Sequence, residues 1–70
     1  MPESYHNTQV VQVTHHSQTV RRLLRAEGYL SMEAIAQSLD LTHAQTLSVL
    51  QRMEEDREIL RRSGMWELRE

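Results

Sequence analysis

The chain has 70 residues, with eight arginines, no lysine, no cysteine and ten acidic side chains, for a formal charge of −2. That length makes one small domain, whose core supplies no more than roughly 3–5 kcal/mol unaided. Without cysteine there are no disulfide staples, thiolate metal sites or cysteine nucleophiles, and the charge balance argues against a strongly basic coat for nucleic acid.

No apolar run is long enough to span a bilayer, and no charged-then-apolar leader precedes the body, so a cytoplasmic location with no membrane partner is expected. An enzyme is not expected. The sequence has no Ser–His–acid order, no glycine-rich phosphate loop and no HExxH, and too little chain to enclose a pocket.

Residues 1–16 are polar apart from Val10, Val11 and Val13, which suggest at most a short strand, so this segment reads as a flexible N-terminal arm. His15 and His16 are adjacent, would point to opposite faces of a strand, and have no acid or further histidine at ligand spacing. No metal or other cofactor is expected.

Ser17 is a candidate N-cap for a helix running to about Glu27, with Val20, Leu23 and Leu24 as its apolar stripe and Arg21, Arg22 and Arg25 spread around the solvent side. Gly28 falls where a left-handed residue closes a helix. Tyr29 and Leu30 form a short extended link, and Ser31 is the next N-cap, with Glu33 in the favourable first turn.

Residues 31–57 organise the rest of the chain. Met32, Ile35, Ala36 and Leu39 fall on one face of a helix, Asp40 and Leu41 make a bend, and a second helix spans 42–56 with Val49, Leu50 and Met53 inward. Thr42 and Gln45 have capping-box spacing: the hydroxyl accepts from the Gln45 N–H, and the Gln45 side chain returns to the Thr42 N–H. Beyond it, 58–62 and 65–69 flank a Ser63-Gly64 tip, a hairpin signal. Pairing across the tip sets Ile59 opposite Leu68 and Arg61 opposite Trp66 on one face, with Leu60, Arg62, Met65 and Glu67 on the other. Trp66 is expected beneath the wing, where its indole can also stack with Arg61. The Tyr29–Leu30 link would add an edge strand.

The expected fold is therefore mainly α with a small β-hairpin: a winged helix-turn-helix of three helices plus a two- to three-stranded antiparallel wing sheet, over residues 17–70. The chain resembles DeoR-type N-terminal domains at Gly28, Ile35-Ala36, Leu39, Leu41-Thr42, Leu50, Met53-Glu54-Glu55 and Ile59. It is also similar to the small FeoC-type winged-helix proteins at 32–39, 50–54 and 66–69. Three departures stand out against those families. Asp40 replaces a glycine in the bend, which survives because aspartate tolerates a left-handed conformation better than most residues. Thr46 replaces an aliphatic residue at some loss to the core, and Arg57 replaces a glycine, so that the turn into the wing must be made differently. The FeoC-type cysteine wing is absent, so no iron–sulfur cluster is carried over.

Two functions from different classes follow. In the first, the chain is a small double-stranded-DNA-binding transcriptional regulator that reads the major groove with helix 42–56. Thr42, His43, Ala44, Leu47, Ser48 and Gln51 would face base edges or phosphates, and Arg52, Arg61, Arg62, Arg21 and Arg22 would reach the backbone. These cations suffice for roughly three to five phosphate contacts, each adding roughly 0.9 to the salt slope. One such module contacts a half-site, which implies a homodimer, and residues 10–13 are the spare segment that could mediate it. In the second, the winged helix is a protein-interaction module or FeoC-like accessory factor that docks a partner through the recognition helix, with an exposed Leu47 as anchor. The capping pair is structural under either reading. His43 and the acidic run Glu54-Glu55-Asp56 with Glu58 also have a plain reading as solvated surface.

Overall fold

The computed structural model describes residues 13–69. Their elements run α1 (Val13–Glu27), β1 (Tyr29–Leu30), α2 (Met32–Leu39), α3 (His43–Glu55), β2 (Ile59–Arg62) and β3 (Met65–Leu68). The three strands form one antiparallel sheet in the order β1-β3-β2. Three helices with a hairpin and a short edge strand give a winged helix-turn-helix architecture.

The first helix begins earlier than the sequence suggests. The chain is already helical at Val13, so Ser17 is an interior helical residue, 7% exposed, and not an N-cap. His15 and His16 likewise sit on α1 and not in an arm, with ring centroids 5.4 Å apart. Val13 is helical too, while 1–12, the rest of the expected arm and of its proposed dimerising segment, lie outside the described residues. The spacing of Ser17, Val20 and Leu24 (i, i+3, i+7) forms the buried stripe, so tertiary packing extends the helix past its apparent cap.

The core gathers Val20 and Leu24 of α1, Ile35 and Leu39 of α2, Val49, Leu50 and Met53 of α3, and Ile59 and Trp66 of the wing, with Leu30, Met32, Leu41 and Leu68 packed around it. Ala36, also buried, has the small side chain that lets α2 and α3 cross closely. Thr46 stands among these buried side chains where an aliphatic residue was expected. It is fully buried, and its hydroxyl donates to the Thr42 carbonyl at 2.8 Å, so no polar atom is stranded.

Each helix ends on a left-handed residue. Gly28, at φ 88°, closes α1 with its N–H on the Leu24 carbonyl at 2.8 Å. Asp40, at φ 58°, ends α2; its N–H reaches the Gln37 carbonyl at 3.2 Å, and the Leu41 N–H reaches Ala36 at 3.1 Å. These paired bonds form a Schellman motif, which turns the chain from α2 into α3. Arg57 repeats it after α3. At φ 61° its N–H bonds Glu54 at 3.0 Å, and the Glu58 N–H bonds Met53 at 2.9 Å. The turn into the wing is therefore made as a glycine would make it, with an arginine held in a conformation that disfavours a Cβ. At the wing tip Ser63 and Gly64 both have positive φ, as a type I′ hairpin requires.

The hairpin register is the expected one, with Ile59 opposite Leu68 and Arg61 opposite Trp66, and β1 adds Tyr29 opposite Glu67 and Leu30 opposite Trp66. Among the described residues, no helix is long and apolar enough to cross a membrane.

Candidate nucleic-acid interface

The N-terminus of α3 is set by its cap. Thr42 Oγ1 accepts from the Gln45 N–H at 3.1 Å, and Gln45 Oε1 accepts from the Thr42 N–H at 3.0 Å. Because the Thr42 oxygen acts here as an acceptor, its hydroxyl proton remains available to an outside acceptor. Beside it, the first backbone N–H groups of α3 point along the positive end of the helix dipole.

Beyond the cap, burial follows helical spacing. Thr46, Val49, Leu50 and Met53 face inward, while Thr42, His43, Ala44, Ser48, Gln51 and Arg52 are exposed. Ala44, Ser48, Gln51 and Arg52 fall at i, i+4, i+7 and i+8, one continuous outward stripe. The Ser48 hydroxyl already donates to the Ala44 carbonyl at 3.2 Å, so it faces outward chiefly as an acceptor. Leu47 is half-buried and not the exposed side chain expected of a docking anchor.

The acids of α3 lie at its other end. Glu54, Glu55 and Asp56 are exposed, and at 1.5 Å per residue Glu54 is about 18 Å along the axis from Thr42. That is about two Debye lengths at physiological salt, so the acids scarcely influence the potential at the cap.

The candidate cations divide into three kinds. Arg21 of α1 is paired with Glu58 at the entrance to β2, both side chains about one-third exposed, and this bond ties α1 to the wing. Arg52 and Arg62 make open surface pairs. Arg52 Nε is 3.6 Å from Asp56, one turn on, with the two side chains 62% and 51% exposed, and Arg62 Nε is 3.0 Å from Glu67. Such pairs contribute about 0–1 kcal/mol, so a phosphate can displace the carboxylate at little cost. Arg61 lies over the buried Trp66 ring, its guanidinium carbon 5.4 Å from the centroid. This contact orients its side chain and, among the described residues, leaves its N–H donors free at the edges. Arg22 is exposed, with no ion pair among the described residues.

Sequence reasoning passed over Tyr29, which is 61% exposed. The signal was present: a strand alternates sides, and Leu30 packs inward, so Tyr29 must point out. Among the described residues, no group of three or more His, Cys, Asp or Glu side chains could hold a metal ion. Compared with family models, with curated proteins and with solved structures, the chain has no match.

Proposed function

We propose that this chain is a small DNA-binding regulator of the winged-helix type, similar in design to DeoR-type domains, whose helix α3 enters the major groove. The observation that carries this reading is the outward stripe of α3. From Thr42 to Arg52 it exposes small and polar side chains, with no acid and no large apolar group. Thr42 and the first N–H groups of α3 suit a phosphate at a helix N-terminus. His43 and Gln51 offer donors to base edges, Gln51 suiting adenine. Arg52, Arg61, Arg62 and Arg22 are the backbone cations of this reading. Arg21 is left out, because a contact with phosphate would require breaking the bond that ties α1 to the wing.

The test is fluorescence anisotropy of the protein on a labelled duplex across a salt series. Binding is expected at low salt, with a log–log slope of roughly −3 to −4 from about four phosphate contacts. Arg52→Ala combined with Arg61→Ala lowers both affinity and slope. An absence of binding at low salt overturns the proposal.

A second reading, a protein-interaction or FeoC-like accessory role, is favoured by the net charge of −2 and by the acids already beside Arg21, Arg52 and Arg62. Its expected anchor, Leu47, is half-buried, which makes it the weaker of the two. It predicts a partner lost on Leu47→Glu with the fold intact.

A further inference from the structure

The wing sheet has two faces of different character. Leu30, Ile59, Trp66 and Leu68 face the core, and alternation puts Tyr29, Leu60, Arg62, Met65 and Glu67 on the outer face. The register aligns this face in two rows: Tyr29, Glu67 and Leu60 across β1, β3 and β2, and Met65 beside Arg62 toward the tip. Tyr29 is the exposed large hydrophobic side chain among the described residues, and Leu60 and Met65 are half-buried. Tyr29, Met65, Arg62, Ser63 and Glu67 line a shallow depression on this face.

We propose that this outer sheet face is the contact between two copies of the chain, related by a two-fold axis. The argument is self-complementarity. The face carries one cation and one anion, Arg62 and Glu67, set diagonally across the hairpin and paired at 3.0 Å. A two-fold contact must place each patch against itself. A patch with a charge of one sign would then repel, whereas this one sets Arg62 of each copy against Glu67 of the other, with the Tyr29 rings and Met65 side chains between them. The alternative contact, edge to edge through β2, is disfavoured. β2 exposes Arg61 and Arg62, and antiparallel self-pairing would bring like charges together. Five side chains cover far less than the roughly 800 Å² per partner of a standard interface, so the dimer is of the weak, transient class. Two copies on neighbouring half-sites of one duplex would associate more readily by proximity. The dimer itself does not depend on DNA binding.

The test is sedimentation equilibrium of the whole chain, without DNA, from about 10 µM to about 1 mM, the range of weak association. A concentration-dependent dimer is expected, weakened about ten-fold or more by Tyr29→Ser, with circular dichroism confirming the fold. Arg62→Glu and Glu67→Arg chains are each expected to be monomeric alone and to form a dimer when mixed in equal amounts, which an intramolecular pair cannot produce. Adding Tyr29→Ser to both abolishes the mixed dimer. The proposal is overturned by a monomer at every concentration, whether residues 1–12 cover the face in cis or nothing does. It is also overturned by a dimer indifferent to Tyr29→Ser, or by a mixture of the charge variants that stays monomeric.

Discussion

Thr46 donates its hydroxyl to the Thr42 carbonyl at 2.8 Å, and its backbone N–H reaches the same oxygen at 2.9 Å. The carbonyl is therefore satisfied twice, and removing the hydroxyl strands nothing. Thr46→Val is expected to leave stability unchanged or to raise it by up to ~1 kcal/mol, since both ends of the side-chain bond are then accounted for. Thr46→Ser keeps the bond but deletes a buried methyl, and is expected to lose about 1 kcal/mol. Urea unfolding of the two variants gives the order; a valine variant less stable than the serine one would contradict it.

The left-handed turns give an opposite pair of expectations. Arg57 and Asp40 occupy positive φ with a Cβ, a conformation that disfavours L-residues by roughly 1–2 kcal/mol. Arg57→Gly is expected to raise stability by ~0.5–1 kcal/mol, after the greater freedom of glycine in the unfolded chain is subtracted. Asp40→Gly should gain less, because aspartate tolerates this region better than arginine. Gly28→Ala should lose about 1 kcal/mol from φ alone, since a Cβ there would meet no atom within 4 Å. Melting temperatures of the three proteins decide the ranking.

The Arg21–Glu58 pair links positions 37 apart in sequence. With both side chains about one-third exposed, a double-mutant cycle to alanine is expected to give a coupling of about 0.5–1 kcal/mol after solvent screening. On duplex DNA, Arg21→Ala is expected to keep the wild-type salt slope, because that guanidinium serves the fold. A slope reduced by a full unit would return Arg21 to the interface.

Gln51 and Arg52 are adjacent on the outward stripe and exposed, yet under the DNA reading they act differently. Arg52→Ala should weaken binding to all duplexes alike, whereas Gln51→Ala should relax preference at one base pair, by about 1–3 kcal/mol of discrimination. Binding to a library of randomised duplexes separates the two effects.

Caps can be tested without DNA. Ser31 Oγ accepts from the Ala34 N–H at 3.1 Å, and Thr42 does the same for Gln45. Alanine at either position is expected to remove about 1 kcal/mol of stability. The loss should be larger at Thr42, whose cap is reciprocal. Denaturant midpoints at constant slope are the measurement.

The features legible in the sequence were those encoded locally. Ser31 and Thr42 with Gln45 announce helix starts, Gly28 a helix end, and Ser63-Gly64 a hairpin whose alternation fixes the register of Ile59 and Trp66. The features that escaped depend on packing across the chain. The inclusion of Ser17 within α1 follows from burying its side chain, which by itself looks like a cap. Arg57 is left-handed because the flanking elements require a turn there, and arginine does not signal it, whereas the left-handed bend at Asp40 was readable from aspartate's tolerance of that region. The pairing of Arg21 with Glu58 joins distant elements, so it could not be read from spacing. The candidate interface was legible as a list of residues, while the sorting of its arginines into bound, loosely paired and stacked needed the tertiary arrangement.

The strand order has a consequence for how the domain comes into being. β3 follows the other two strands in the chain but lies between them, and it brings Trp66 into the core. Neither β1 nor β2 has a neighbour in the sheet until β3 arrives, so the sheet cannot be assembled strand by strand as the chain emerges. A chain ending at Gly64 would keep all three helical segments yet lose every rung of both ladders and the central aromatic residue. Completion of the fold waits for its latest strand, and until then the apolar faces of α1, α2 and α3 have only one another for cover.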